Sequence, residues 1–468
     1  MRKIVLAAAV LAAVAFGVAG STQAGNVSSY DGASWYGKYL AVTSGTTPLC
    51  SGNSGSVKQP NFGSNVDASH ECGSQSETFI AINPAQPKNV IAGSNEIQRL
   101  PMRAMYSTNG GSSFTGVDLP LPPPSTNNGF DFGSDPGVAF DANGNAYYSY
   151  IVVFFGAGGG INGTEMAVAH STNGGKDWTA TFFAPQTGSG QFNDKPMITV
   201  DKTRSPNRVY VTWDNATGNS SSEKNGNDIV ISHSDDGGVT FSDPVSVSGP
   251  FTGKTGGIGA DPYVTSNGTL HVAWQDDAHS QISDVASTDG GLTFSPPTEV
   301  APVSGFETLP VAQGTRGALV YPACDSFGST LYCSYMSNSK VYVATNSGSG
   351  WTSKQMPSGG DQFNQWLAVD QSDGSINVAY YDTGTPGAPT TTFTLARSED
   401  GGAHYTTSPI ATATTDETTP DANLGNQYGD YEGIAAMNGI VRPVWTDRRQ
   451  DVIELGLREE VFTAALRP

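Results

Sequence analysis

The sequence predicts an all-β protein assembled from repeated four-stranded units, and three observations carry that prediction. Glycine (57) and proline (28) are abundant while charged residues are few (14%), which suits a turn-rich chain better than a helical one. No segment sustains an apolar period of about 3.6 residues with helix caps at its ends. One stretch recurs: Ser171 to Trp178 reads STNGGKDW, and near-copies begin at Ser107 (STNGGSSF), Ser234 (SDDGGVTF), Ser287 (STDGGLTF) and Ser398 (SEDGGAHY), with a worn version, TNSGSGW, at Thr345.

Each copy orders a hydroxyl residue, an Asn or Asp two positions on, a glycine pair and an aromatic. In a tight hairpin the hydroxyl and the Asx side chain bond the turn's own amides, the glycines take positive φ, and the ring packs beneath. These stretches resemble the Asp-box (BNR) repeats of the sialidase-like β-propellers, five of them over the full eight residues. The resemblance implies a ring of four-stranded blades, with the box in the turn between a blade's third and fourth strands. It does not settle activity, because Asp boxes occur in sialidases, in other glycosidases and in non-catalytic propellers. Other pieces resemble secreted members of that family whose biochemical role is ill defined: QSETFIAINP (75–84) with VIAGSN (90–95), NDKPMITVD (193–201), and GDYEGIAA (429–436) with PVWTDRR (443–449).

In chain order, Arg2 and Lys3 precede an apolar run from Ile4 to Val18, and Thr22-Gln23-Ala24 offers a small-residue cleavage site. These are the marks of a secretory signal peptide over 1–24, so the expected protein is secreted or periplasmic. No later stretch is apolar enough to span a bilayer. Residues 25–74 form an N-terminal segment, and 75–468 are read as one propeller domain, because the repeats cover nearly all of it. Four cysteines in an exported chain favour two disulfides, with three possible pairings; the most economical is Cys50–Cys72 and Cys324–Cys333.

Seven units follow, opening near residues 77, 135, 194, 261, 321, 361 and 430, and all but the fifth begin with an acid: Glu77, Asp135, Asp194, Asp261, Asp361 and Asp430. The second strand of a unit reads VYVTW (209–213), LHVAW (270–274), INVAYY (376–381) or VRPVW (441–445), and an Asp follows at 214, 276, 382 or 447. The last unit ends near Ala464 without a box or a fourth strand. A piece of the N-terminal segment, Trp35 to Val42, is expected to supply that strand and close a seven-bladed ring, removing open sheet edges.

With the boxes on the lower face, both sets of acids fall on the upper one. Up to ten carboxylates would then surround the axis of a chain whose formal net charge is −20. Such a ring raises local cation concentration and lifts some carboxylate pKa values. It would suit a carbohydrate or other polyhydroxylated ligand, with calcium as a candidate ion because Ca²⁺ seeks several oxygen ligands. An Asp before Pro or at a strand start also caps turns, and Trp213, Trp274 and Trp445 can pack between blades as readily as stack on sugars.

Sialidase chemistry, which the resemblance raises, needs three arginines on the substrate carboxylate, a Tyr nucleophile supported by a Glu, and an Asp acid/base. Tyr428, Tyr431, Glu432, Arg316, Arg442, Arg448 and Arg449 are the residues available for those roles. Arg99-Leu100-Pro101 resembles the family's Arg-Ile-Pro motif but stands only eight residues before the box at Ser107. An anionic sugar would meet an acidic face, so true sialidase activity is not expected. A glycoside hydrolase using a carboxylate pair is the alternative, and a protein-interaction scaffold the second; no catalytic pair is singled out. The long connections 155–165 and 214–228 could rim the face. P-loop, dinucleotide and zinc-protease signatures are absent, the acidic balance speaks against nucleic acid, and a monomer is expected.

Overall fold

The computed structural model describes residues 50, 64–71, 73–123, 130–155, 161–187, 191–217, 227–249, 256–303, 311–420, 422–423, 425–449 and 459–468. The signal-like residues 1–24, the Trp35–Val42 piece, Cys72 and most of the expected rim (156–160 and 218–226) lie outside them. The described chain is a seven-bladed β-propeller. Each blade is an antiparallel sheet with a path of four strands, and the sixth blade carries one extra short strand. The first strands are Gln75–Ile82, Phe130–Phe140, Gln191–Asp201, Gly257–Val264, Ala323–Phe327, Gln362–Val369 and Ile434–Met437. First strands of neighbouring blades pack on one another and so line the axis. No helix among the described residues is long and apolar enough to cross a membrane.

The repeated stretches sit between third and fourth strands, where they make the bonds their sequence implies. Ser107 Oγ accepts the Gly111 amide at 2.8 Å, and Asn109 Oδ1 accepts the amides of Ser112 (3.1 Å) and Ser113 (3.0 Å). The copies at 171, 234, 287 and 398 repeat the pattern. Their glycine pairs all have φ between +71° and +90°, which an L side chain adopts only with strain. In the copy at Ser287, hydrogen bonds from the Thr293 hydroxyl and amide hold Asp289 well below the usual carboxylate range.

Packing between blades uses the second-strand tryptophans. Trp213 meets Phe183 of the preceding blade edge to face at 6.0 Å, and Trp445 stacks on Phe393 at 5.2 Å. Trp274 packs with Ile229 in one apolar cluster. All three are fully buried, so they serve the core and are not open to a sugar.

The ring closes through the N-terminal segment, but by a different piece from the one expected. Asn65–Asp67 forms the outer strand of the seventh blade, with Asn65 opposite Ala464 and Asp67 opposite Phe462. Three residues, two of them polar, are too few to show a strand period. The side chains hold the strand in place: Asn65 Nδ2 donates to Ile410 O (2.9 Å) and Asn65 Oδ1 accepts the Thr412 amide (2.8 Å), tying the strand to the sixth blade. Cys324 and Cys333 form the expected disulfide across the first hairpin of the fifth blade, with their Cα atoms 4.1 Å apart. Cys50 is also disulfide-bonded, and its expected partner is Cys72.

In five blades the first strand carries a bulge, where pairing slips past two residues. One residue of each bulge has positive φ: Glu77 (54°), Asp135 (61°), Lys195 (51°), Gly259 (65°) and Asn364 (49°). A bulge kinks the strand and re-aims a side chain. For the four non-glycines this backbone costs about 1 kcal/mol or more apiece, and it persists only where the surroundings enforce it.

Candidate functional site

The bulges bring distant blades into one charged cluster at the upper end of the axis. Lys195 Nζ, from the third blade, lies 3.2 Å from Glu77 Oε1 in the first, 3.7 Å from Asp135 Oδ2 in the second, and 2.8 Å from Asp430 Oδ2 beside the seventh. Arg316, in the connection between the fourth and fifth blades, donates to Asp430 through Nε (3.0 Å) and Nη2 (2.8 Å), and to Glu77 through Nη2 (3.1 Å). Asn95 joins the first two blades: its amide donates to Glu77 Oε2 (2.7 Å) and Asp135 Oδ1 (3.2 Å), while its oxygen accepts the Asp135 amide at 2.6 Å. Tyr431 donates to Pro136 O at 3.2 Å, and its ring lies 5.7 Å from the Lys195 ammonium.

The electrostatics balance within this cluster. Burial pushes Glu77, Asp194 and Asp214 well above the usual carboxylate range. Burial also opposes ionisation of Asp135 and Asp430, but there cations win. Lys195 and hydrogen bonds from Asp194, Glu77 and Asn95 hold Asp135 well below that range; Arg316 and Lys195 do the same for Asp430. The two cations they face, Lys195 and Arg316, are each kept charged by their acidic neighbours despite burial. Full ionisation of all five acids would place a net negative charge in a low-dielectric interior, which protonation avoids.

Several polar atoms around this cluster have no hydrogen-bond partner among the described residues: Ser76 Oγ, Asp214 Oδ2, Tyr321 OH and Asn364 Oδ1. Tyr321 reaches the axis because Gly259 has no side chain; a Cβ there would stand 2.1 Å from the tyrosine ring. The Gly259 amide in turn donates to Asp214 Oδ1 at 3.3 Å.

Of the ten acids expected on this face, Glu77, Asp135, Asp194, Asp214 and Asp430 come together. The other five are engaged elsewhere. Asp261 accepts the Cys324 amide at 2.6 Å and burial raises its pKa to about 8. Asp276 takes the Ser283 hydroxyl (2.7 Å) and His279 Nδ1 (2.9 Å). Asp361 accepts the Gly387 amide and Asp382 the Gly384 amide, each at 2.7 Å, and Asp447 holds Trp445 Nε1 (3.0 Å) and Arg449 Nε (2.8 Å). The bulge register explains the split. The position of Glu77 and Asp135 is held by Lys195, Gly259 and Asn364 in the third, fourth and sixth blades, whereas Asp261 falls two residues later and Asp361 three earlier. Aligning units on Asp135-Pro136 and Lys195-Pro196 would have placed Lys195 opposite Asp135; aligning on the acids hid it.

The expected supporting residues also separate. Tyr428 is buried against Tyr381 (4.3 Å) and shares its hydroxyl with Thr391 (3.0 Å). Arg448 donates to Asp416 O at 2.8 Å. Glu432 accepts the hydroxyl of Tyr381 at 2.6 Å, not that of either neighbouring tyrosine, and burial raises it to about 8. Arg99 pairs with Glu71 and Asp118, Arg442 lies against the turn at Gly111, and Arg449 joins Asp447. Among the described arginines of the expected set, Arg316 alone enters the axial cluster.

For calcium the cluster is a poor fit. Lys195 and Arg316 stand where a cation would neutralise the acids, and no group of three or more His, Cys, Asp or Glu among the described residues is arranged to hold a metal.

No known protein family matches the chain, and no curated protein does. Solved structures do. The Hadza microbial sialidase Hz136 is 13% identical, with 82% of this chain and 75% of that one covered and a TM-score of 0.44. The leech intramolecular trans-sialidase is 12% identical over 81% and 82%, with a TM-score of 0.46. The GH93 α-L-arabinofuranosidase of Fusarium graminearum is 10% identical over 84% and 93%, with a TM-score of 0.45.

Proposed function

We propose that this protein is an exported, sialidase-like Asp-box propeller that binds a carbohydrate or other polyhydroxylated ligand at the upper end of its axis. One observation carries the reading: Glu77, Asp135, Asp194, Asp214 and Asp430 converge there with Lys195 and Arg316, from elements far apart in sequence. Vicinal hydroxyls both donate and accept, and this cluster offers carboxyl groups with pKa values driven in opposite directions, an ammonium and a guanidinium side by side. The positive-φ residues at Glu77, Asp135 and Lys195 support it, since strained backbone gathers at ligand sites. Calcium is not part of the reading. A glycan array, followed by titration of its best ligand with and without chelator, tests it: binding insensitive to chelator and weakened by Asp430→Asn is expected. A protein that binds no glycan, or binds one equally well after that substitution, removes the reading.

A second reading, hydrolysis of a glycoside, is favoured by one feature. Burial pushes the Asp194 carboxyl well above the usual carboxylate range while Lys195 holds that of Asp135 well below it, and carboxyls driven apart in this way suit an acid and a base. A panel of chromogenic glycosides assayed with wild type and Asp194→Asn separates it from binding alone.

A further inference from the structure

In the axial cluster one cation differs from the other in how it is held. Lys195 comes from a strand, with its backbone fixed by blade pairing. Arg316 comes from Val311–Gly317, a short stretch outside any blade. Two glutamine side chains do much of the fastening. Gln427 Oε1 accepts the amides of Thr315 (3.0 Å) and Arg316 (2.9 Å), and Gln313 Nε2 donates to Gly429 O (2.6 Å). Side-chain clamps of this kind open more readily than a strand. Arg316 is also the most exposed member of the paired set, its side chain 14% accessible against 1% to 7% for Glu77, Asp135, Lys195 and Asp430. It therefore marks the side from which the cluster is reached.

Charge then restricts what can take its place. With Arg316 withdrawn, Glu77 and Asp430 lose its ion pairs and share Lys195 alone with Asp135, so the buried acid is left short of a cationic partner. A neutral or anionic ligand would leave it so, and an unpaired buried charge is strongly unfavourable. A ligand that brings its own ammonium or guanidinium restores the balance. The Tyr321 hydroxyl and Asp214 Oδ2, both on buried residues and without hydrogen-bond partners among the described residues, stand close enough to share the field of Lys195, and supply further contacts. We infer that Arg316 is a built-in occupant of the axial site, and that the ligand class which displaces it is cationic: an amine-bearing glycan in place of a neutral or acidic one. This rests on the proposed glycan-binding role and narrows it.

The test compares a glucosamine tetramer with its N-acetylated counterpart, at a pH where the amines are protonated, by calorimetric titration of the full chain. Wild type should bind the amine form at least about tenfold more tightly, and Arg316→Ala should bind it about tenfold more tightly again, while the N-acetylated form gains nothing. Gln427→Ala keeps every charge and loosens only the clamp, so it should tighten amine binding in the same direction if Arg316→Ala proves poorly folded. Independently, millimolar methylguanidinium should raise the melting temperature of Arg316→Ala and leave wild type unchanged. Equal affinity for the two tetramers, or preference for the N-acetylated one, overturns the inference while leaving a glycan site in place. Stabilisation by methylguanidinium with neither tetramer bound supports the displaceable cation site and removes the glycan reading. Absence of that stabilisation in a folded Arg316→Ala overturns the inference.

Discussion

Lys195 Nζ and Asp430 Oδ2 lie 2.8 Å apart, although the two residues belong to the third and seventh units of the ring. A contact between non-adjacent blades can form only across the axis, so this pair joins the ring through its centre. Substituting Lys195 by Met should cost about 3–5 kcal/mol, because it leaves buried carboxylates without their ammonium. Adding Asp430→Asn should recover part of that loss. Urea unfolding of the two single variants and the double variant measures the coupling, and strict additivity would deny it.

The pH dependence of stability should run against the common pattern. Folded-state pKa values are raised to about 7 for Glu96 and to about 8 for Asp261 and Glu432, in each case mainly by burial. A carboxyl raised on folding binds its proton more tightly in the native state, so its contribution is full below the unfolded pKa of about 4 and is lost as pH rises through the folded value. Asp135 and Asp430, held low by Lys195 and Arg316, act oppositely: their contribution is present above about pH 4 and lost below it. Urea midpoints should therefore be highest near pH 4–5 and decline towards pH 8. A maximum at pH 7–8 would contradict these assignments.

Replacing Cys324 and Cys333 with serine should cost about 2–3 kcal/mol, the loop-closure value for a bridge spanning 9 residues. Because the pair joins adjacent strands of one hairpin, the effect should be on the melting temperature and not on ligand binding.

Closure of the ring is testable at Val66, which is buried and lies opposite Thr463. Val66→Asp buries an uncompensated charge and should detach the outer strand of the seventh blade, at a cost of roughly 3 kcal/mol or more. Proteolysis of the folded protein should then begin in the N-terminal segment. Val66→Ile should be tolerated.

The fold was legible in the sequence because its turns repeat. Each Ser/Thr–x–Asx–Gly–Gly stretch encodes a turn through local bonds such as those of Ser107 and Asn109, and local chemistry survives in a single sequence. The seven units and their fourth-strand deficit followed by counting. The closing strand did not, because Asn65-Val66-Asp67 is specified by its partners Thr463 and Ile410, which are remote in the chain. The axial cluster was half legible. Asp135-Pro136 and Asp261-Pro262 look alike in sequence, yet the bulge register aims one at the axis and sets the other against the fifth blade. Asp261 stands two residues past the bulge position that Asp135 fills, and in the third blade Lys195, not Asp194, fills it; no composition records such a register. Lys195 was missed for that reason, and Arg316 was noticed only as a spare arginine because its role depends on contacts more than 100 residues away.

The central claim is that the axial cluster is where a ligand binds. Its most direct test is a calorimetric titration of the best array-selected glycan against wild type, Asp430→Asn and Glu399→Gln, the last being an exposed acid in a lower-face turn. At least about a tenfold loss of affinity for Asp430→Asn, with Glu399→Gln unchanged, is the expected result. Unchanged affinity for Asp430→Asn in a folded protein would contradict the claim.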